Sequence, residues 1–98
     1  MSDQSREVVI TGIGAVSPAG FGVDALWQRA LAGQPLPLGG VAVGPDPAER
    51  LTVKESRRLD RFARYALLAA REAVEDAVLD FSGLDSELLG AVVGTGIG

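Results

Sequence analysis

Apolar residues fall along this chain in two patterns, short unbroken β-branched runs closed by glycine and longer stretches spaced at three and four residues. Val8-Val9-Ile10-Thr11, bounded by Gly12 and Gly14, is of the first kind. So short an apolar run without alternation predicts a strand buried on both faces, placed at residues 7–11. Gly12 and Gly14 permit a tight exit, and residues 12–22 read as a loop through Ser17-Pro18 and Gly20-Phe21-Gly22. Ala91-Val92-Val93 predicts a second such strand at 90–94, running into Gly94-Thr95-Gly96-Ile97-Gly98.

The helical pattern occurs twice. Asp24 stands as N-cap to a helix over 24–32, with Gly33 at the C′ position and Leu26 and Ala30 on one stripe beside Trp27 and Leu31. Thr52-Val53-Lys54-Glu55 has the form of a capping box and predicts a long helix over 53–78. Its apolar face is read as Leu59, Phe62, Ala63, Ala66, Ala70, Ala73, Val74 and Ala77. Between the helices, Pro35, Pro37, Pro45 and Pro47 predict a loop over 34–50 with at most a short edge strand at 41–43. Phe81 to Leu88 reads as a connector with a helical turn at 85–88.

Composition narrows the classes. At 98 residues the chain is one domain or part of one, and 47% hydrophobic with 22% charged residues is ordinary globular usage. A net charge of −4 argues against nucleic-acid binding by the whole-protein field. The chain contains neither Cys nor His, which removes thiolate nucleophiles, disulfides and the commonest general base and metal ligand. No catalytic residue, metal site or cofactor is assigned. The acidic start has no signal-like h-region, and no apolar run nears the ~20 residues that span a bilayer, so a soluble cytoplasmic protein away from membranes is expected.

Three motifs invite chemistry. Gly12-Ile13-Gly14 after a strand suggests a dinucleotide loop, yet Ser17 occupies the third glycine position and no helix follows directly, so nucleotide binding is the weakest rival. Glu72, Glu75 and Asp76 share the polar face of the long helix and read as solvated. Lys54, Arg57, Arg58 and Arg61 follow an i, i+3, i+4, i+7 pattern, which on a continuous helix makes one cationic arc at its positive end. A solvated face with Glu55 and Asp60 as partners accounts for that arc as well as an anion- or acidic-protein-binding patch does. Tyr65 and Leu68 also fall on this polar side, where a purely solvated face needs neither, and packing under a neighbouring element accounts for them equally well.

Together these residues resemble the β-ketoacyl synthase family. The resemblance lies in Val8-Val9-Ile10-Thr11-Gly12-Ile13-Gly14-Ala15-Val16-Ser17-Pro18, Leu26-Trp27, Leu31-Ala32-Gly33 and Arg57-Arg58-Leu59-Asp60-Arg61-Phe62 with Tyr65-Ala66. It continues through Ala69-Ala70-Arg71-Glu72-Ala73 and Asp76-Ala77 to Gly90-Ala91-Val92-Val93-Gly94-Thr95-Gly96. It implies an α/β fold, the incomplete amino-terminal half of a thiolase-like fold with two short buried strands and two helices, residues 1–98 being one synthase domain truncated at Gly98. It also implies decarboxylative Claisen condensation of an acyl thioester with a malonyl carrier protein, in fatty-acid or polyketide assembly, by a homodimer. The family's catalytic Cys and His have no counterpart here, so the chain alone is expected to be inactive. In similar bacterial enzymes, basic residues before the Asp-x-Phe stretch dock acyl carrier protein. Lys54, Arg57 and Arg58 occupy those places, with Arg61 at the edge. Two departures stand out, a shorter 34–50 segment and Val78 where the family places glycine. A non-catalytic carrier-binding or chain-length-factor-like module remains the main alternative.

Overall fold

The computed structural model of the chain describes residues 5–36 and 51–96. Its content is α/β: β1 (Val16–Ser17) and β2 (Gly20–Phe21) form an antiparallel hairpin, followed by α1 (Val23–Leu31), α2 (Val53–Arg58) and α3 (Arg61–Ala77). Two single 3₁₀ turns follow, Phe81–Gly83 and Ser86–Leu88, the second on the helical turn expected at 85–88. Asp80 and Asp85 each accept the backbone N–H two residues on, which fixes these turns. The expected edge strand at 41–43 lies outside the described residues.

Helix α3 carries the rest, on a face that overlaps only in part, at Ala73 and Ala77, with the one that the apolar spacing predicts. The side covered by the amino-terminal segment is the stripe Tyr65, Leu68, Ala69, Glu72, Ala73 and Asp76, at i, i+3, i+4, i+7, i+8 and i+11. Leu68, at 3% exposure, is one of two buried apolar side chains among the described residues, Leu51 being the other. Tyr65 meets Phe21 of the hairpin edge-on, with ring centroids 5.8 Å apart. Phe62, Ala66 and Ala70, expected in the core, are exposed.

Polar groups explain the rotation. The extended segment before the hairpin leaves backbone N–H groups without a ladder, and two carboxylates of α3 accept them. Glu72 takes Ala15 N–H at 2.9 Å and Val23 N–H at 2.9 Å, and Asp76 takes Ile13 N–H at 3.0 Å. Of the acids expected on a solvated face, Glu75 and Asp76 are exposed and Glu72 is half-buried; a carboxylate accepting backbone N–H bonds outweighs the burial of one more alanine. Gly12 and Gly14 allow the approach. A Cβ on Gly12 would meet the carbonyl of Ala73, and one on Gly14 that of Ala69.

Helix α1 begins one residue earlier than expected. Gly22, at φ +105°, is its N-cap, Asp24 lies inside the first turn, and the cap acceptor for Val23 comes from Glu72. Its end is as expected: Gly33 is left-handed at φ +70°, with Gly33 N–H on Ala30 and Gln34 N–H on Arg29, a Schellman closure.

The strands expected at 7–11 and 90–94 are not formed; those residues belong to no sheet. A strand is defined by the neighbour that completes its ladder, and here Val8 is 93% and Val92 101% exposed. The Cα radius of gyration, 16.3 Å, against about 13 Å for a compact domain of this length, shows the same open arrangement.

The predicted long helix is two helices. Leu59 (φ −94°, ψ 137°) and Asp60 (φ −64°, ψ 163°) are extended. A continuous helix would stack Arg61 on Arg57 and Arg58, like charges at i+4 and i+3, and the break removes that repulsion. Helix α3 closes on Val78, whose φ of 53° and ψ of 46° put a β-branched residue in the left-handed region, with Leu79 N–H returning to Val74.

Two substitutions test these devices in urea titrations followed by helical circular dichroism. Val78→Gly, at an exposed position, is expected to stabilise the chain by about 1 kcal/mol, since the left-handed penalty of about 1–2 kcal/mol exceeds glycine's entropic cost; an unchanged midpoint would refute it. Glu72→Ala strands two backbone donors and is expected to destabilise by about 1–3 kcal/mol.

Candidate functional site

The residues expected to form a cationic arc are Lys54, Arg57, Arg58 and Arg61. The structure brings the first three together and separates the fourth. On α2, Lys54, Arg57 and Arg58 share the outward side with Val53, all exposed, while Glu55 and Ser56 turn inward and are half-buried. Arg61, also exposed, is the first residue of α3, off that arc because of the break at Leu59-Asp60.

The break also corrects the electrostatics. In one long helix all four cations would oppose the dipole; in the short α2, Arg57 and Arg58 lie in the last turn, at the negative end, where cations are favourable. Only Lys54 and Arg61 stand in first turns.

The Glu55 side chain has two partners, Thr52 and Arg71, neither of them in the cationic group. Its carboxylate completes the capping box that the sequence predicts: Thr52 Oγ1 accepts Glu55 N–H at 3.0 Å and Glu55 Oε1 accepts Thr52 N–H at 2.9 Å. The same carboxylate receives both arms of Arg71 from α3, at 2.9 and 2.8 Å. Of the two partners that a solvated face would give the arc, Glu55 and Asp60, the first is thus taken. No hydrogen bond or ion pair joins the side chains of Lys54, Arg57, Arg58 or Arg61 to a described residue.

Sequence reasoning missed the two residues that hold this surface in place. Besides Arg71, Arg64 reaches back from α3 and donates to the Ser56 carbonyl at 2.9 Å. The available signal was their spacing of seven, two turns of one helix face. Among the described residues no group of acids has metal-binding geometry, and no helix is long and apolar enough to cross a membrane.

The Arg71 guanidinium, followed by the Thr52 N–H, lowers the Glu55 pKa from its ordinary 4.5 to about 2. A depressed carboxylate contributes stability above its unfolded value and loses it as pH falls through the folded one. Attachment of α2 to α3 is therefore expected to be complete above pH 4.5 and to fail between there and about 2. Amide exchange in α2 should accelerate across that window in the wild type and show no such step in Glu55→Gln.

A chain with this arrangement has named relatives. It is similar to 3-oxoacyl-(acyl-carrier-protein) synthase 2 of Staphylococcus aureus strain N315, with 39% identity over 97% of this chain and 26% of that protein. The enzyme of the same name from Synechocystis sp. is 32% identical over the same shares, 97% and 26%. The chain thus spans about a quarter of the length of these relatives. No solved structure matches it. The family description "Beta-ketoacyl synthase, N-terminal domain" fits residues 40–98, which include the whole of α2 and α3. From that match and the relatives' agreement along nearly its full length, the chain belongs to the β-ketoacyl synthase family.

Proposed function

We propose that this segment serves a cytoplasmic, homodimeric β-ketoacyl synthase of thiolase-like fold as scaffold and as part of the surface that docks acyl carrier protein. The reaction served is decarboxylative condensation of an enzyme-held acyl thioester with malonyl carrier protein. The segment supplies no nucleophile, having no Cys, and no imidazole, having no His.

One observation carries the docking role: Lys54, Arg57 and Arg58 share the open side of α2 while the adjacent acid, Glu55, is held by Arg71. A cationic face so arranged attracts and orients an acidic partner, acting on encounter more than on the lifetime of the complex. The relatives' names, which specify a carrier-protein-linked product, support the same partner.

The test is Arg58→Glu in an intact synthase carrying this segment. The KM for carrier-protein substrate is expected to rise about three- to tenfold, and the defect to shrink as added salt shortens the Debye length. Acylation from a small thioester without carrier protein should be unchanged. Equal losses with both substrates would make the patch structural and end the docking reading.

A further inference from the structure

The cationic face sits on a helix that cannot hold itself. Helix α2 has six residues, well below the ~12–15 at which isolated helices persist. None of its residues is buried, so no apolar contact within it fixes its orientation. Extended Leu59 and Asp60 join it to α3, and buried Leu51 anchors the chain just before its N-cap, but none of these lies within the helix to fix its rotation.

Two arginines of α3 meet it from one face. Arg71 grips Glu55 in the first turn with both guanidinium arms. Arg64 grips the next residue, Ser56, through its carbonyl. The last carbonyl of α2 used by a backbone N–H is that of Glu55, which accepts Leu59, and the Ser56 carbonyl beyond it takes Arg64. Resting on the docking role argued above, we propose that Arg64 and Arg71 are positioning residues for the carrier protein: they hold α2 through the adjacent Glu55 carboxylate and Ser56 carbonyl and fix the angle at which Lys54, Arg57 and Arg58 face the partner.

Arg71 has a second effect. Unpaired, the Glu55 carboxylate would be a free acid beside three cations on a surface meant for an acidic protein, and pairing removes that opposing charge. Orientation and charge are separable, because Glu55→Gln with Arg71→Met removes the grip without changing net charge, and glutamine can still serve in a capping box.

The experiment is calorimetric titration of the 98-residue chain with a holo acyl carrier protein at low and high salt, with amide exchange on the same variants. The double variant is expected to bind about two- to fivefold more weakly, the range for losing a partly exposed ion pair. Its salt slope should match wild type, because the cations remain, whereas Arg58→Glu should flatten the slope. Amides of Ser56 and Leu59 should exchange faster, with those of α3 unchanged. Wild-type affinity in the double variant, with α2 loosened and Arg58→Glu impaired, would overturn the clamp and leave the docking surface standing. No effect of Arg58→Glu would overturn the docking reading and the clamp with it. Should α3 also lose protection in the double variant, Arg71→Lys decides: it keeps the charge but loses the two-armed grip, so intermediate affinity supports the clamp and wild-type affinity refutes it.

Discussion

The Glu72 carboxylate is the constraint on which the amino-terminal third of the structure depends. One of its oxygens holds the backbone just before β1 and the other holds the first residue of α1. The hairpin between them is therefore fixed to α3 at both ends, and Phe21 is brought against Tyr65 as a result. Asp76, one turn further on, extends the same attachment to Ile13. Few apolar side chains are buried, so polar grips of this kind set the geometry that packing sets in a closed core.

The same logic governs α2, with the signs reversed. On one side of α3, carboxylates accept backbone N–H groups from an extended segment; on the other, guanidinium groups serve the carboxylate and carbonyl of a short helix. Helix α3 thus presents two polar faces to two partners, and its alanines allow close approach to the first. The face of Phe62, Ala66 and Ala70 is left open to solvent. With that apolar face open, little of the hydrophobic pattern is satisfied within the described residues.

Signals that act locally were legible in the sequence. The Thr52 capping box, the Gly33 helix end and the turn after Asp85 follow from side chains within a few residues of one another, and all three are present. What depended on distant partners was not. The runs at 8–10 and 91–93 carry strand character without a ladder, because no sequence pattern supplies the neighbouring strand. Glu72 reads as solvated because periodicity measures polarity, not which backbone donors a carboxylate will meet, whereas Tyr65 and Leu68 already stand out on that side as residues that a solvated face does not need. The break at Leu59-Asp60 escaped because each of those residues tolerates a helix, and only the column of like charges across it argued otherwise. Lys54, Arg57 and Arg58 were correctly grouped, but the dipole argument attached to them changed sign once the helix divided.

The borrowed cap of α1 has a consequence for the order of folding. Gly22 offers the helix no side-chain acceptor, so its first N–H is satisfied by a residue 49 positions downstream. A nine-residue helix is below the length that persists alone. During synthesis α1 leaves the ribosome before Glu72 has been made, and it has no local means of starting. The amino-terminal cap of α1 is therefore completed only when the hairpin is docked on α3, so the two helices form as one coupled unit.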